Sequence, residues 1–160
     1  MIAVDANVLL PLLREDALTS TARAVRVADP VWVMPSLLKT ELVNALLNEV
    51  KAGYLTLESA TQAAGMAGEI AAAARVQDPG LTEILVTARR SGLTAYDATY
   101  VVLARSLGLL LITEDRQILR ACPDVARSMR QFLSPPQPPS AVREQPATYR
   151  SRRAGRRGGA

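Results

Sequence analysis

Short apolar runs alternate along the chain with longer segments of helical character. Three runs have the length and continuous hydrophobicity of buried parallel strands, namely "IAV" (2–4), "VWVM" (31–34) and "LLLI" (109–112). Two weaker strand candidates are "ARV" (74–76) and "DVA" (124–126). Because strands alternate with helices at this spacing, the pattern predicts an α/β fold with a mainly parallel sheet.

The predicted helices begin at a capping residue or a proline, and most of them end at a glycine. Their limits are Pro35–Ser36 to Gly53, Thr56 onward, Asp78–Pro79 to Gly92, and Thr94 through Ser106 to Gly108. In the third helix the proline should occupy the first helical position, where its missing N–H group has no intrahelical partner to lose.

The length of 160 residues and the hydrophobic content of 49% fit one globular domain with a sizeable core. No apolar run reaches the roughly 18 residues that a membrane span needs. The first residues, "MIAVDANVLL", lack a basic segment before the apolar run, so we expect no signal peptide. The single cysteine, Cys122, cannot form an intrachain disulfide. This agrees with a cytoplasmic location, and we interpret Cys122 as structural.

The positive net charge belongs to the last part of the chain. From Ser134 onward there are six arginines and one glutamate, a net charge of +5, so that −1 of the +4 total remains for residues 1–133. The last segment is rich in Pro, Arg and Gly and has no apolar periodicity, so we predict a folded domain over 1–133 and a disordered tail over 134–160. The tail is either an RNA-binding arm or an inert extension. Its arginines are Arg143, Arg150, Arg152, Arg153, Arg156 and Arg157.

The chain contains no histidine and only two lysines, Lys39 and Lys51. Nucleophile systems that depend on histidine are therefore excluded, as are zinc sites with histidine ligands. Chemistry near neutral pH must then depend on carboxylates, hydroxyls, lysine or a hard metal ion. Carboxylates with Mg²⁺ or Mn²⁺ are the default expectation.

Carboxylates follow two of the predicted strands. Asp5 comes directly after the first strand, and two residues separate Asp115 from the strand at 109–112. Ligands of open parallel sheets bind at the carboxyl ends of the strands, where both acids should lie. Glu41 interrupts the apolar face of its predicted helix, and a buried carboxylate needs a partner, a proton or a cation.

Each acid also has a structural interpretation. Asp97 lies three residues after Thr94, as in a capping box, and Asp115 can cap the helix that follows it. Asp5 can bond to the turn after the first strand, and Glu41 can form a buried ion pair. Their joint placement favours a divalent cation, because clustered like charges repel and no basic partner lies within these motifs.

Two neutral side chains lie beside these acids. Asn7 is two residues after Asp5, and Thr113 is two residues before Asp115. Either side chain can orient a carboxylate or a metal-bound water. The alternative roles are a turn amide for Asn7 and a helix-cap hydroxyl for Thr113.

The segments "VDANVLL", "PSLLKTELVNAL" and "LTAYDATYVVLARSLGLLLITED" resemble the PIN-domain ribonucleases, above all the VapC-type toxins of toxin–antitoxin pairs. The resemblance covers residues 1–133 and implies a PIN-like three-layer fold, with about five strands in a mainly parallel sheet. It also implies bound Mg²⁺ or Mn²⁺, cleavage of single-stranded RNA, a homodimer and inhibition by a cognate antitoxin. The residues it assigns to the acidic quartet and to the accessory positions are Asp5, Glu41, Asp97, Asp115, Asn7 and Thr113.

Two features depart from the family pattern. Glu114 is an additional acid directly before Asp115, and the sequence assigns it no role. The tail lies beyond the end of the resemblance, so nothing about it is implied.

The segment 57–76 is rich in Ala and Gly, which permits close helix packing either within one subunit or between two.

The sequence therefore predicts a metal-dependent endoribonuclease. Asp5 and Asp97 would be the main metal ligands, and Asp115 and Glu41 would complete the site directly or through waters. Because water is the nucleophile, the products should carry a 5′-phosphate and a 3′-hydroxyl. Two alternatives remain, a PIN nuclease of RNA processing or decay without an antitoxin, and a non-catalytic PIN module that binds RNA or protein. A phosphoryl-transfer domain with Asp5 as nucleophile is disfavoured, since neither lysine follows a later strand.

Overall fold

Five short strands form one sheet within residues 1–14 and 16–134, the part of the chain that the computed structural model describes. The order across the sheet is β3-β2-β1-β4-β5, and every neighbouring pair is parallel. The predicted parallel sheet is therefore confirmed. Of the two weaker strands, the one at 75–76 lies within the predicted 74–76, whereas the one at 126–127 shares only Ala126 with the predicted 124–126. The strands are β1 (Ile2–Val4), β2 (Trp32–Met34), β3 (Arg75–Val76), β4 (Leu111–Ile112) and β5 (Ala126–Arg127).

The central strand, β1, has a neighbour on each side. Ala3 pairs with Val33 of β2 and with Leu111 of β4. All residues of β1 and β2 are buried, as expected for parallel strands that are covered on both faces. β4 begins two residues later than predicted, because the Leu109 N–H donates to the Ala104 carbonyl (2.9 Å) and Leu109 stays in the turn before the strand.

Helices flank this sheet. They are α1 (Ala6–Leu13), α2 (Thr19–Ala28), α3 (Leu37–Lys51), α4 (Leu57–Ala73), α5 (Leu81–Ser91), α6 (Ala95–Leu107), α7 (Arg116–Ala121) and α8 (Met129–Leu133). The sequence pattern predicts α3 to α7 but not α1, α2 or α8. Within residues 1–14 and 16–134, no helix has both the length and the apolar character that crossing a membrane requires.

Most of the predicted helix limits are confirmed. Thr56 caps α4 and Thr94 caps α6, each by accepting a backbone N–H bond from the residue three positions later. Gly92 and Gly108 end α5 and α6 with φ values of 70° and 64°. That left-handed conformation is accessible to glycine without the steric penalty of a Cβ atom.

The predicted start of α5 is wrong. The helix begins at Leu81 with Gly80 as its N-cap residue, so Pro79 lies outside it. The Asp78 carboxylate does not cap α5, because its Oδ1 atom accepts a 2.8 Å hydrogen bond from the Ser36 N–H at the start of α3. A partner 42 residues away has replaced the local one that the sequence suggested.

Side chains from the strands and from α1, α3, α4 and α6 form the core. The largest fully buried side chains include Trp32, Tyr100 and Leu103. Each fully buried apolar side chain of this size contributes about 1.5–3 kcal/mol. Cys122 is also buried and free, and burial raises the pKa of its thiol, which agrees with the predicted structural role.

The alanine-rich helix α4 packs within the subunit. One face of the helix, which carries Ala60, Ala63, Ala67 and Ala71, is buried in the core. Small side chains on this face allow α4 to lie close to α3. Packing inside one chain therefore explains this alanine pattern. The chain is described as far as α8 and Ser134, and the six arginines of the predicted tail lie outside the described residues.

Candidate active site

Asp5 lies at the carboxyl end of the central strand, and two neutral side chains hold it there. The Thr113 hydroxyl donates to Asp5 Oδ2 at 2.6 Å, and the Asn7 amide donates to the same oxygen at 2.8 Å. Thr113 is fully buried, and its own N–H continues the sheet by donating to the Arg127 carbonyl. Both accessory residues thus orient the Asp5 carboxylate.

The same two side chains connect Asp5 to the loop that carries Asp115. Asn7 Oδ1 accepts a 2.9 Å bond from the Glu114 N–H, and Thr113 Oγ1 accepts a 2.9 Å bond from the Asp115 N–H. The bond between Asn7 and Glu114 and the bond between Thr113 and Asp5 each join residues more than 100 positions apart in the sequence. The loop after β4 is therefore fixed relative to the end of β1.

Asp5 is held in an environment that disfavours its charge. Its pKa is raised to about 6, mainly by burial and in part by the Glu41 carboxylate, although the bond from Thr113 opposes the shift. A carboxylate of this kind gains free energy from a proton or from a cation.

Glu41 is half-buried on α3 and receives a hydrogen bond from the hydroxyl of Tyr100 on α6. Burial raises the pKa of Glu41, the bond from Tyr100 opposes that shift, and the Asp97 carboxylate adds to it. No Lys or Arg in the described part of the chain forms an ion pair with Glu41. The alternative of a buried ion pair therefore has no partner among these residues.

Asp97 and Asp115 both lie at the start of a helix, and Asp115 is the N-cap residue of α7. Asp97 Oδ2 accepts a 2.7 Å bond from the Thr94 hydroxyl, whose oxygen in turn accepts the Asp97 N–H. Asp115 Oδ1 accepts the N–H groups of Gln117 and Ile118 at 2.7 and 2.9 Å. The capping interpretation of Asp115 is correct. Asp97 does not complete a capping box, because its carboxylate accepts the Thr94 hydroxyl and not the Thr94 N–H. Each of these contacts uses one carboxylate oxygen. The other oxygen of each acid is left for a different partner.

All four acids line one open cleft of about 560 Å³. They come from four separate parts of the fold, namely the end of β1, the middle of α3, the first turn of α6 and the loop after β4. None of the described residues that line this cleft is a Lys or Arg. The full lining is Asp5, Ala6, Asn7, Leu10, Leu37, Thr40, Glu41, Asn44, Ala45, Asn48, Tyr96, Asp97 and Asp115.

This donor set suits a hard divalent cation that keeps part of its water shell. Within residues 1–14 and 16–134, no group of three carboxylate or thiol side chains is close enough to hold an ion directly. Mg²⁺ commonly binds through one or two carboxylates and retains several waters, so a tight cage of side chains is not needed. The Glu41 carboxylate raises the pKa of Asp5, and the Asp97 carboxylate raises the pKa of Glu41, so neighbouring charges in the cleft are close enough to repel one another.

Glu114, to which the sequence assigned no role, has a structural one. Its Oε1 atom accepts a 2.9 Å bond from the Met129 N–H in the first turn of α8. Ser128 and Gln131 form a capping box at the same helix end. Glu114 therefore attaches α8 to the loop that carries Asp115 and does not line the cleft.

Sequence reasoning missed three polar residues and one aromatic residue of the site. Thr40, Asn44 and Asn48 lie along α3 at intervals of four residues, and Tyr96 precedes Asp97. The spacing of four was a readable signal, because such residues share one face of a helix. The contact of Tyr100 with Glu41 joins residues 59 positions apart and has no comparable signal.

Comparison with known proteins gives consistent matches. Residues 2–122 match the PIN domain family model. The chain is 32% identical over 124 residues to ribonuclease VapC3 of Mycobacterium tuberculosis, which is 76% of this chain and 88% of that protein. It is 37% identical over 79 residues to exonuclease VapC9 of Pyrobaculum aerophilum, but this match spans 49% of the chain and only 58% of VapC9. The crystal structure of PAE2754 from P. aerophilum superimposes with a TM-score of 0.66 at 27% identity, covering 82% of this chain and 85% of that one.

Proposed function

Since this chain belongs to the PIN domain family, among its VapC-type members, we propose that it is a metal-dependent endoribonuclease that cleaves single-stranded RNA in the cytoplasm. The observation that carries the proposal is the convergence of Asp5, Glu41, Asp97 and Asp115 in one cleft without a basic lining residue among those described. The names of the relatives, ribonuclease and exonuclease, support a nuclease.

We assign the binding of Mg²⁺ or Mn²⁺ to the four acids. Asp5 and Asp97 would be the main ligands, and Asp115 and Glu41 would bind directly or through waters. When bound, such an ion supplies a Lewis acid for the phosphoryl oxygens and lowers the pKa of water. Asn7 and Thr113 keep the Asp5 carboxylate in place through bonds to its Oδ2 atom.

The Thr94 hydroxyl holds Asp97, and backbone N–H groups of α7 hold Asp115. Each carboxylate uses one oxygen for this contact and has one oxygen available. The cleft is open, which suits a polymer that passes through it. Hydrolysis by water leaves a 5′-phosphate and a 3′-hydroxyl, and end-labelling of the fragments tests this outcome.

The decisive test of the function is Asp97→Asn. Asparagine keeps the size of the side chain and an oxygen that can accept the Thr94 hydroxyl, but it removes the negative ligand. Because loss of groups that only support metal ligands already reduces activity about 10- to 100-fold, we expect cleavage of single-stranded RNA to fall by at least about 100-fold. The matched control is Glu69→Gln, an exposed acid on α4 outside the cleft, which should retain activity.

Two controls make the result specific. Wild-type cleavage should stop in a chelator and return with added Mg²⁺ or Mn²⁺. If Asp97→Asn keeps activity within a few-fold of wild type, the assignment of the metal site is wrong. If wild-type protein binds RNA but never cleaves it, the chain is instead the non-catalytic module.

We also propose that the protein forms a homodimer and binds a cognate antitoxin. Two apolar surfaces among the described residues support partners. α5 has no buried residue, and Leu81 and Leu85 are 85% and 71% exposed. A cavity of about 260 Å³ between α3 and α4 is lined mainly by apolar side chains, among them Val43, which is 55% exposed.

The partner proposals have direct tests. Sedimentation that shows only monomer at micromolar concentration contradicts the homodimer. Inhibition of cleavage by the product of an adjacent short open reading frame supports the antitoxin. If no such gene product binds or inhibits the chain, a nuclease of RNA processing or decay becomes the better description.

A further inference from the structure

Tyr96 presents a large aromatic surface at the acidic cleft. It lies in the first turn of α6, directly before Asp97, and lines the cleft although 63% of it is exposed. Burial of an aromatic ring ordinarily contributes to folding, but here the fold leaves most of the ring uncovered. Folding alone therefore does not explain an aromatic residue at this position.

The lining of the cleft is acidic, so its side chains can attract RNA directly only through uncharged groups. Four of its thirteen lining residues are acids, and none of these described residues is basic. Phosphate groups consequently find no cationic side chain in the lining. Apart from a bound metal ion, the attractive contacts that remain are stacking on an aromatic ring and hydrogen bonds from neutral amides.

Neutral amides from α3 also line the cleft. Asn44 and Asn48 lie one turn apart on α3, and both are exposed and line the cleft. An asparagine amide both donates and accepts hydrogen bonds, so it matches the edges of nucleobases better than it matches phosphate. The cleft therefore offers an aromatic ring on which a base can stack and amides that can hydrogen-bond to the edge of a base.

We propose that Tyr96 is the stacking platform for one unpaired nucleobase next to the scissile phosphate, and that Asn44 and Asn48 contact bases or sugars of the same strand. The inference rests on the proposed ribonuclease function and narrows the substrate to RNA with an unstacked base, as in a loop or single strand. Stacking tolerates different bases, because each has an aromatic face. Sequence preference would then come from the asparagines.

The first experiment compares Tyr96→Ala with wild type in RNA cleavage. Loss of one stacked base corresponds to about 5- to 150-fold in affinity, so the KM for RNA should rise by that factor while kcat changes little. Because stacking involves no phosphate, the factor should be the same at low and high salt. Tyr96→Phe keeps the ring and should restore most of the affinity.

The matched control is Tyr54→Ala. Tyr54 is 81% exposed but does not line the cleft, so its removal should leave the KM unchanged. Denaturant unfolding of each variant shows whether the substitution has altered the fold. An unchanged KM for Tyr96→Ala overturns the proposal.

A second experiment identifies the stacked base. Substrates with a single abasic site at successive positions should lose affinity for wild-type protein at one position by the same factor as the Tyr96→Ala change. With Tyr96→Ala, the abasic substitution at that position should cause no further loss. Additive losses at every position contradict stacking on Tyr96.

Different results contradict the stacking proposal and the proposed ribonuclease function. If wild-type protein cleaves RNA and Tyr96→Ala does so with the same KM, only the stacking proposal fails. If wild-type protein shows no metal-dependent cleavage, the proposed function fails. Fluorescence anisotropy with the same abasic series then decides whether Tyr96 contacts RNA bases.

Discussion

The four acids of the cleft are held in two different ways. Asp5 is buried, and its neighbours Asn7 and Thr113 reach it and the Asp115 loop through contacts between distant parts of the chain. Asp97 and Asp115 are more exposed than Asp5, and their carboxylates bond to groups within three residues in the sequence. The first arrangement exists only when the sheet is assembled, whereas the second forms with a single helix end.

The two arrangements have opposite effects on the stability of the fold. The inner acid, Asp5, is deprived of water, so its charge opposes folding in the absence of a cation. Asp115 contributes to folding through its cap on α7, and Asp97 bonds to the hydroxyl of the cap residue Thr94. Each of these two acids can serve the site with its second oxygen. Glu41 lies between the two groups, since it is half-buried and its contact, Tyr100, is distant in sequence.

The largest expected effect comes from Glu41→Gln. Glutamine keeps the shape and an oxygen that can accept the Tyr100 hydroxyl, but it has no charge. We expect RNA cleavage to fall by at least about 100-fold, while the free energy of unfolding changes by less than about 1 kcal/mol. A structural ion pair would instead cost about 3–5 kcal/mol on truncation, and denaturant unfolding beside the cleavage assay separates these outcomes.

Tyr100→Phe tests the same contact from the other side. The variant keeps the buried ring and removes only the donor to Glu41. A group that orients a metal ligand should affect metal affinity about 10- to 100-fold, which is less than the loss of the ligand itself. Titration of the apoprotein with Mn²⁺ measures this directly, and unchanged Mn²⁺ affinity contradicts the orienting role.

A change in stability of about 3 kcal/mol is expected from pH, and it distinguishes Asp5 from the other acids of the cleft. Its pKa rises from 3.8 in the unfolded chain to about 6 in the folded one, so the folded state binds the proton more tightly. The stabilisation from this proton is complete below about pH 4 and is lost as the pH rises through about 6. The free energy of unfolding of the apoprotein should therefore fall by about 3 kcal/mol from this group.

The measurement is urea unfolding of metal-free wild type and Asp5→Asn from about pH 4 to about pH 7. Asparagine does not titrate, so the decrease should appear in the difference between the two proteins. Addition of Mg²⁺ at neutral pH should recover stability in wild type only, because the cation replaces the proton. Parallel pH curves for the two proteins would show that the Asp5 carboxylate is not the titrating group.

Patterns within one element were sufficient to predict much of the fold. Continuous apolar runs located the strands, and cap residues and glycines located most helix ends. α1 and α2 were missed, because neither has a side-chain cap at its first turn to mark the start. The capping box of α8, Ser128 with Gln131, was readable and was overlooked.

The parts that could not be predicted depend on contacts between distant residues. Asp78 has the position of a helix cap, but its carboxylate bonds to Ser36. Glu114 looks like part of the acidic site, but it bonds to Met129 at the start of α8. Such partners are fixed by the tertiary structure, so the spacing along the sequence carries no information about them.

The cleft and the tail differ in charge, and removal of the tail is expected to leave the chemical step of cleavage unchanged. The described cleft lining has no basic residue, whereas residues 135–160 contain six arginines. We expect a chain that ends at Ser134 to cleave saturating RNA at nearly the wild-type rate, but to bind RNA more weakly, most of all at low salt. For single-stranded RNA, each phosphate that is no longer neutralised by an arginine reduces the log–log salt slope by about 0.7, so three to five such phosphates would reduce it by about 2 to 3.5. Binding isotherms over a salt series measure this slope, and the Tyr96→Ala change should leave it unaltered. Equal slopes with and without residues 135–160 would show that the tail is an inert extension.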